Sequence, residues 1–237
     1  MFEVSSGRLL HEIRGHSGAV TSVCFAPNPQ QDATASPASS PTELQVVTGG
    51  SLGDSQVRLW RLSSSAREPV EVWNAAGHTA AVLGVVVVTD ESITDTPCVI
   101  SGSDDCRIIM WRLSDGAKLR EFQGHTAAVN HLTFFSSLGL LVSASDDETV
   151  RMWDVRTGEE KRVIRFEAWA NGVAVSPDGQ LLAVALGRGL TVLCSTATGD
   201  EIRRLTGHDA SSSVWRVVFS PSGTHLVSSS WGTWRCL

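Results

Sequence analysis

Asp146-Asp147-Glu148-Thr149-Val150-Arg151-Met152-Trp153 is the stretch that decides the fold, because the chain contains it three times in different dress. Its relatives are Gly53-Asp54-Ser55-Gln56-Val57-Arg58-Leu59-Trp60 and Asp104-Asp105-Cys106-Arg107-Ile108-Ile109-Met110-Trp111. In each, a turn-forming acidic pair or Gly-Asp leads into a short apolar run closed by tryptophan, the pattern of a tight turn followed by a β-strand. A glycine-histidine pair stands upstream of each: Gly15-His16, Gly77-His78 and Gly124-His125. A fourth pair, Gly207-His208, precedes the last part of the chain. One supersecondary unit therefore recurs, and each copy buries its apolar faces against its neighbours.

Aligned on the last residue of each third strand, the units end at Phe2, Trp60, Trp111, Trp153, Cys194 and Leu237. The spacing is about 40 to 45 residues where nothing is inserted. Two units are longer. Pro27 to Glu43 is rich in Pro, Ser and Ala, buries too little apolar surface to offset its ordering entropy, and is expected to be a mobile loop. The second insertion is Thr89 to Pro97, and both fall between a first and a second strand. Within the third unit the strands read as Val129 to Phe135, Leu140 to Ala144, Thr149 to Asp154 and Glu160 to Arg165. First strands in units two and five, Val82 to Val88 and Val214 to Phe219, are nearly all apolar, as expected of strands covered on both faces. No segment sustains a 3.6-residue period for three turns, so the chain is read as all-β.

A glycine-histidine start and a Trp-Asp-like end at this period resemble the WD40 repeat. That resemblance implies a β-propeller, one four-stranded blade per repeat, here about five blades in a single domain over residues 1–237. Because Phe2 occupies a tryptophan position, Arg8 to Ile13 is expected as a fourth strand lacking its first three, while the last unit has three strands and no fourth. Pairing of the two would close the ring, remove its open edges and give a monomer. The alternative is an incomplete propeller, and a shortened turn in the last unit with an end at Leu237 also fits a truncated or mis-joined coding sequence.

Of the 237 residues, 42% are hydrophobic and 19% charged, which suits a globular core. The formal net charge of -6 opposes binding to a phosphate backbone, so no nucleic acid is expected. Met1-Phe2-Glu3-Val4 has neither a basic lead-in nor an apolar core, and no stretch approaches the length of a membrane span. Five cysteines with no C-x-x-C signal neither a disulfide framework nor a metal site. The expectation is an intracellular protein, cytoplasmic or nuclear, without cofactors.

The resemblance also implies a polar tetrad per blade: the histidine, a Ser or Thr of the second strand, an Asp of the following turn, and the tryptophan. It maps to His16, Thr48, Asp54 and Trp60, to His78, Ser101, Asp105 and Trp111, and to His125, Ser143, Asp147 and Trp153. Ser, His and Asp together invite a hydrolase reading. Repetition opposes it: a hydroxyl bonded to both indole and imidazole is a link in a donor–acceptor chain that fixes the histidine tautomer. Gly49-Gly50-Ser51-Leu52-Gly53 matches G-x-S-x-G, but a nucleophile elbow needs a helix after it and Gln56 to Trp60 reads as a strand. No catalytic residue is assigned.

Unit four has lost the tetrad, with Arg165-Phe166, Val184, Arg188 and Cys194 at its positions; unit five keeps His208 and Ser228. Trp169, Arg188, Trp215 and Trp231 are expected to gather on the face where the turns open, and aromatics with arginine have the composition of an interface hot spot. Leu141 to Arg156, ending Trp153-Asp154-Val155-Arg156, looks like the box of WD40 substrate receptors of cullin-RING ubiquitin ligases, which implies an adaptor contact at Asp154 and Arg156. The expected function is a non-enzymatic scaffold for proteins or peptides. The alternatives are a ligase substrate receptor and a regulatory propeller within a larger multidomain protein.

Overall fold

The computed structural model describes residues 1, 3–27, 43–63, 68–90, 92–230 and 234–236, the last three by their backbone alone. Most of the proline- and serine-rich insertion, Trp231 and the two end markers Phe2 and Leu237 therefore lie outside the described residues.

Five antiparallel sheets follow one another along the chain. Blade one is β1 (Val20–Ala26), β2 (Leu44–Gly50), β3 (Gln56–Leu62) and β4 (Val70–Ala76). Blade two is β5 (Val82–Val88), β6 (Cys98–Ser103), β7 (Ile108–Arg112) and β8 (Lys118–Phe122). Blade three is β9 (Val129–Phe135), β10 (Leu140–Ser145), β11 (Thr149–Asp154) and β12 (Glu160–Arg165). Blade four is β13 (Ala170–Val175), β14 (Leu181–Leu186), β15 (Leu190–Ser195) and β16 (Glu201–Thr206). Blade five is β17 (Val214–Phe219), β18 (Leu226–Ser230) and β19 (Trp234–Cys236). The one helical turn among the described residues is the 3-10 segment Ser136–Leu138.

Strand alternation sends successive side chains to opposite neighbours, so each blade has two apolar faces. Four buried clusters result, one per junction. Val57, Leu59 and Trp73 of blade one meet Val85, Ile109 and Trp111 of blade two. Ile100, Met110 and Phe122 of blade two meet Leu132 and Trp153 of blade three. Met152 and Ile164 meet Val184 and Cys194. Ala183 and Ala185 meet Val214 and Val217.

Polar links from the first strands reinforce three of the junctions. Every first strand carries a bulge at its second residue, which leaves that residue outside the pairing of its own blade. The freed side chain reaches the next blade. Thr21 donates to the Val82 carbonyl, Asn130 Nδ2 to that of Ala170 at 3.1 Å, and Asn171 Nδ2 to that of Val214 at 2.9 Å. One residue on, Ser22 Oγ accepts the Val85 amide at 3.0 Å and His131 Nδ1 lies 3.1 Å from the Val173 carbonyl. Blade two has Leu83 and Gly84 at these positions, and its junction with blade three rests on packing and on the bond from Arg120 Nη1 to the Arg156 carbonyl at 2.9 Å.

The closure expected from the sequence is not made. Residues 8–13 form no strand beyond a single bridge at Leu9, and β19 pairs with β18 alone. The first residues fold back on themselves: the Glu3 amide donates to the Arg8 carbonyl at 2.9 Å, the Leu10 amide to that of Met1 at 2.9 Å, and the terminal ammonium to that of His11 at 2.6 Å. A contact a few residues apart costs far less loop-closure entropy than one spanning the whole chain. Val23 and Phe25 on β1 are consequently 67% and 63% exposed, where their counterparts Val85 and Val87 in blade two are covered by blade one. At the other end Val218 is 54% exposed.

Candidate functional site

The tetrads are assembled from four places in each blade. The loop from the previous blade brings histidine, the second strand the hydroxyl, the turn the aspartate, and the third strand the tryptophan. In blade three Trp153 Nε1 donates to Ser143 Oγ at 2.8 Å, that oxygen is 2.7 Å from His125 Nε2, and His125 Nδ1 is 2.8 Å from Asp147 Oδ2. Blade two repeats this with Trp111, Ser101, His78 and Asp105 at 2.8, 2.8 and 3.0 Å. Blade one has Trp60, Thr48, His16 and Asp54 at 2.8, 2.7 and 2.7 Å. Each carboxylate also accepts the amide following the histidine: Ser17, Thr79 and Thr126. The indole N–H takes one lone pair of the hydroxyl oxygen, and the carboxylate, an acceptor only, requires a proton on the Nδ1 that faces it.

Glycine precedes the histidine for a steric reason. A Cβ on Gly77 would stand 2.6 Å from Cη2 of Trp111, so the loop can lie on the indole only without a side chain.

Side-chain order and polarity match a Ser-His-Asp triad, and access decides what they can do. Ser101 and Ser143 are fully buried, and each oxygen is held by the indole. No substrate carbonyl reaches them. Each set is further closed by an arginine that the sequence reading did not single out. Arg58 lies 3.4 Å from Asp54 and 2.6 Å from Glu71. Arg107 is 2.7 Å from Asp105 and 4.0 Å from Glu121. Arg151 is 3.9 Å from Asp147 and pairs with Glu160. The available signal was an arginine two or four residues after the tetrad aspartate, with a glutamate on the fourth strand.

These environments shift the titrations. Burial works to raise Asp105, but hydrogen bonds from Arg107 and the Thr79 amide, with the charge of His78, hold it down at about 2. Burial likewise opposes the bonds from His125 and Thr149 that hold Asp147 well below the usual carboxylate range. Burial lowers His78, with Asp105 opposing.

Blade five uses a different partner. His208 Nε2 is 2.7 Å from Ser228 Oγ, and Nδ1 is 2.9 Å from Ser230 Oγ in place of a carboxylate. In blade four Val184 and Cys194 sit in the apolar core. Arg188 occupies the aspartate position in a left-handed conformation, φ 62°, and is exposed. The Gly187 amide donates to the Trp169 carbonyl at 2.9 Å, which sets the loop of Trp169 beside the turn of Arg188. Trp169 is 58% exposed, so it does not fill the space of the missing Gly-His pair. Trp215 stands on the next blade at the bulge of β17, partly exposed.

Asp154 is engaged locally. It accepts the Thr157 amide at 2.9 Å and lies 3.7 Å from Lys161. Arg156 is exposed, and its carbonyl accepts Arg120 Nη1 at 2.9 Å. In Gly49 to Gly53 the first two glycines belong to β2, and a turn, then β3, follows them. No helix among the described residues is long and apolar enough to cross a membrane.

Comparison with known proteins accords with this arrangement. The chain is 26% identical over 234 residues to a guanine nucleotide-binding protein subunit beta of Oryza sativa subsp. indica, covering 92% of this chain and 56% of that protein. The corresponding protein of Solanum tuberosum is 28% identical over 233 residues, with coverage of 93% and 56%. Pre-mRNA-processing factor 19 of Bos taurus is 26% identical over 147 residues, 62% of this chain and 29% of that one. The chain thus spans about half the length of the subunit beta relatives it matches. The family model for the WD domain, G-beta repeat, matches residues 7–61, 68–112, 116–154 and 199–236, well over half of the sequence, and the chain belongs to the WD40 family.

Proposed function

We propose that the chain is a non-enzymatic platform on which other proteins assemble. One observation carries this reading: every Ser-His-Asp set is shut behind an indole and an arginine, while an aromatic and a cation that take no part in such a set, Trp169 and Arg188, face solvent side by side on blade four. Trp and Arg are the side chains most enriched in interface hot spots. Family relatives whose names mark them as subunits support the same class of function. Affinity purification of the tagged chain tests it. The expected result is a defined set of co-purifying proteins, reduced by Trp169→Ala with Arg188→Glu and retained by Glu159→Ala on the opposite turn. Hydrolytic activity dependent on Ser101 or Ser143 would contradict the reading.

A second reading, receptor subunit of a cullin-RING ligase, rests on the exposure of Arg156 beside an Asp154 whose carboxylate meets the Thr157 amide and Lys161 rather than the Arg156 guanidinium. Co-purification of a ligase adaptor by the parent chain and its loss with Arg156→Ala would support that role.

A further inference from the structure

Between β12 of blade three and β15 of blade four lies a cavity of about 410 Å³, lined by Ile164, Phe166, Leu186, Val192 and Cys194, with Arg165 and Arg188 at one end. Its origin can be read from the neighbouring blades. In blade three the place of Cys194 is taken by Trp153, whose ring packs edge-on against Phe122 of blade two at 5.9 Å between centroids. Ile164 stands where Phe122 does, and Cys194 reaches much less far than an indole. In strand register Arg165 answers to Gln123 and Phe166 to the glycine that lies on the indole elsewhere, and Phe166 packs partly buried against the cluster that holds Cys194. The place of one missing indole is thus left open, with an apolar floor.

The charge at the mouth is reversed as well. Blades one to three have an aspartate in the turn; blade four has Arg188 there, turned outward by its left-handed backbone. Neither Arg165 nor Arg188 makes an ion pair or a side-chain hydrogen bond among the described residues. Glu167 also borders this end, and at the far end stand Asp200 and Arg204, the arginine 2.8 Å from Glu201. Two guanidiniums outside any ion pair, against one carboxylate, leave this end locally cationic on a chain of net charge -6, and guanidinium is the side-chain group best matched to carboxylate. Pockets of 300 to 1,000 Å³, mostly apolar with a few placed polar groups, have the form of ligand sites.

We propose that this cavity binds an acidic peptide segment of a partner protein through one aromatic side chain, which takes the place of the missing indole while its flanking carboxylates meet Arg165 and Arg188. The inference deepens the platform reading and rests on it. The probe is a blocked peptide Glu-Glu-Trp-Glu-Glu, titrated into the isotope-labelled full chain and followed by methyl resonances of Ile164, Leu190 and Val192. Saturable one-site binding is expected, weaker by about tenfold or more when alanine replaces the tryptophan or lysine replaces the glutamates. The double variant Phe166→Gly with Cys194→Trp restores the ring and the glycine in register with it, fills the cavity while leaving both arginines in place, and should abolish binding. Arg188→Gly, which relieves a left-handed residue on an exposed turn and so keeps the fold, should weaken binding by a similar factor. Equal binding of the alanine peptide, binding unchanged by Arg188→Gly, or no binding by the parent would overturn the proposal. Retained capture of cellular partners alongside any of those outcomes would leave the platform reading standing and remove this one alone.

Discussion

The side-chain amide of Asn171 donates to the main-chain carbonyl of Val214, 2.9 Å away and one blade further on. Asn171 is buried at the bulge of β13, and the carbonyl it meets begins the first strand of blade five. The same position supplies Thr21 and Asn130 at two other junctions. These links tie strands that share no backbone ladder.

Asn171→Ala should therefore lower the unfolding free energy by about 1 to 3 kcal/mol, because it leaves a buried carbonyl without its donor. Amide exchange should increase first in β17 and β18, the blade held by that bond. A uniform increase across all five blades would mean that the link is not specific to this junction.

Val85 and Val23 occupy matching positions in blades two and one, yet one is covered and the other 67% exposed. Val85→Ala should cost about 1 to 3 kcal/mol and Val23→Ala no more than about 0.5 kcal/mol. Comparable losses in urea unfolding would show that the face of blade one is covered in solution.

Stability should fall on acidification in two stages. Burial, helped by the charge of Arg216 and opposed by the Val173 carbonyl, lowers His131 from 6.5 to about 4, and His78 is lowered too. With folded values depressed, their contribution is full above the unfolded value and is lost as pH falls from 6.5 towards 4. Asp105, held at about 2 against an ordinary 3.8, adds a second loss over that lower interval. Urea midpoints measured from pH 7.5 to 3 should show both stages, and His131→Gln should flatten the first. A midpoint constant between pH 7.5 and 4.5 would exclude the histidine contribution.

The fold was legible because the strands are short and separated by Gly, Asp or Ser, with tryptophan marking three of the third strands, so the boundaries of β5, β9, β11, β12 and β17 follow from the sequence. The resemblance to the WD40 repeat also indicated which residues share a tetrad, and Ser101 to Asp105 and Ser143 to Asp147 bracket turns of equal length. Contacts between blades were not legible. Asn130 and Asn171 look like ordinary polar residues in a strand until the bulge releases them from their own sheet. Closure by residues 8–13 failed because a one-dimensional pattern shows complementary deficits but not the cheaper local pairing with Met1 and Glu3. Asp146, adjacent to the tetrad aspartate, reads as a bystander in sequence, whereas its carboxylate accepts Asn130 Nδ2 at 2.6 Å.

The central claim is that the Ser-His-Asp-Trp sets bind the fold together and do no chemistry, and a double-mutant cycle on His125 and Asp147 tests it most directly. The two side chains are 2.8 Å apart and buried or nearly so. Each alanine variant should destabilise by more than Asp146→Ala, which loses one bond to Asn130 rather than a place in the network. The pair should show a coupling free energy of about 0.5 to 3 kcal/mol, because the second substitution removes a contact already broken by the first. Additive effects, or single variants no less stable than Asp146→Ala, would contradict the account.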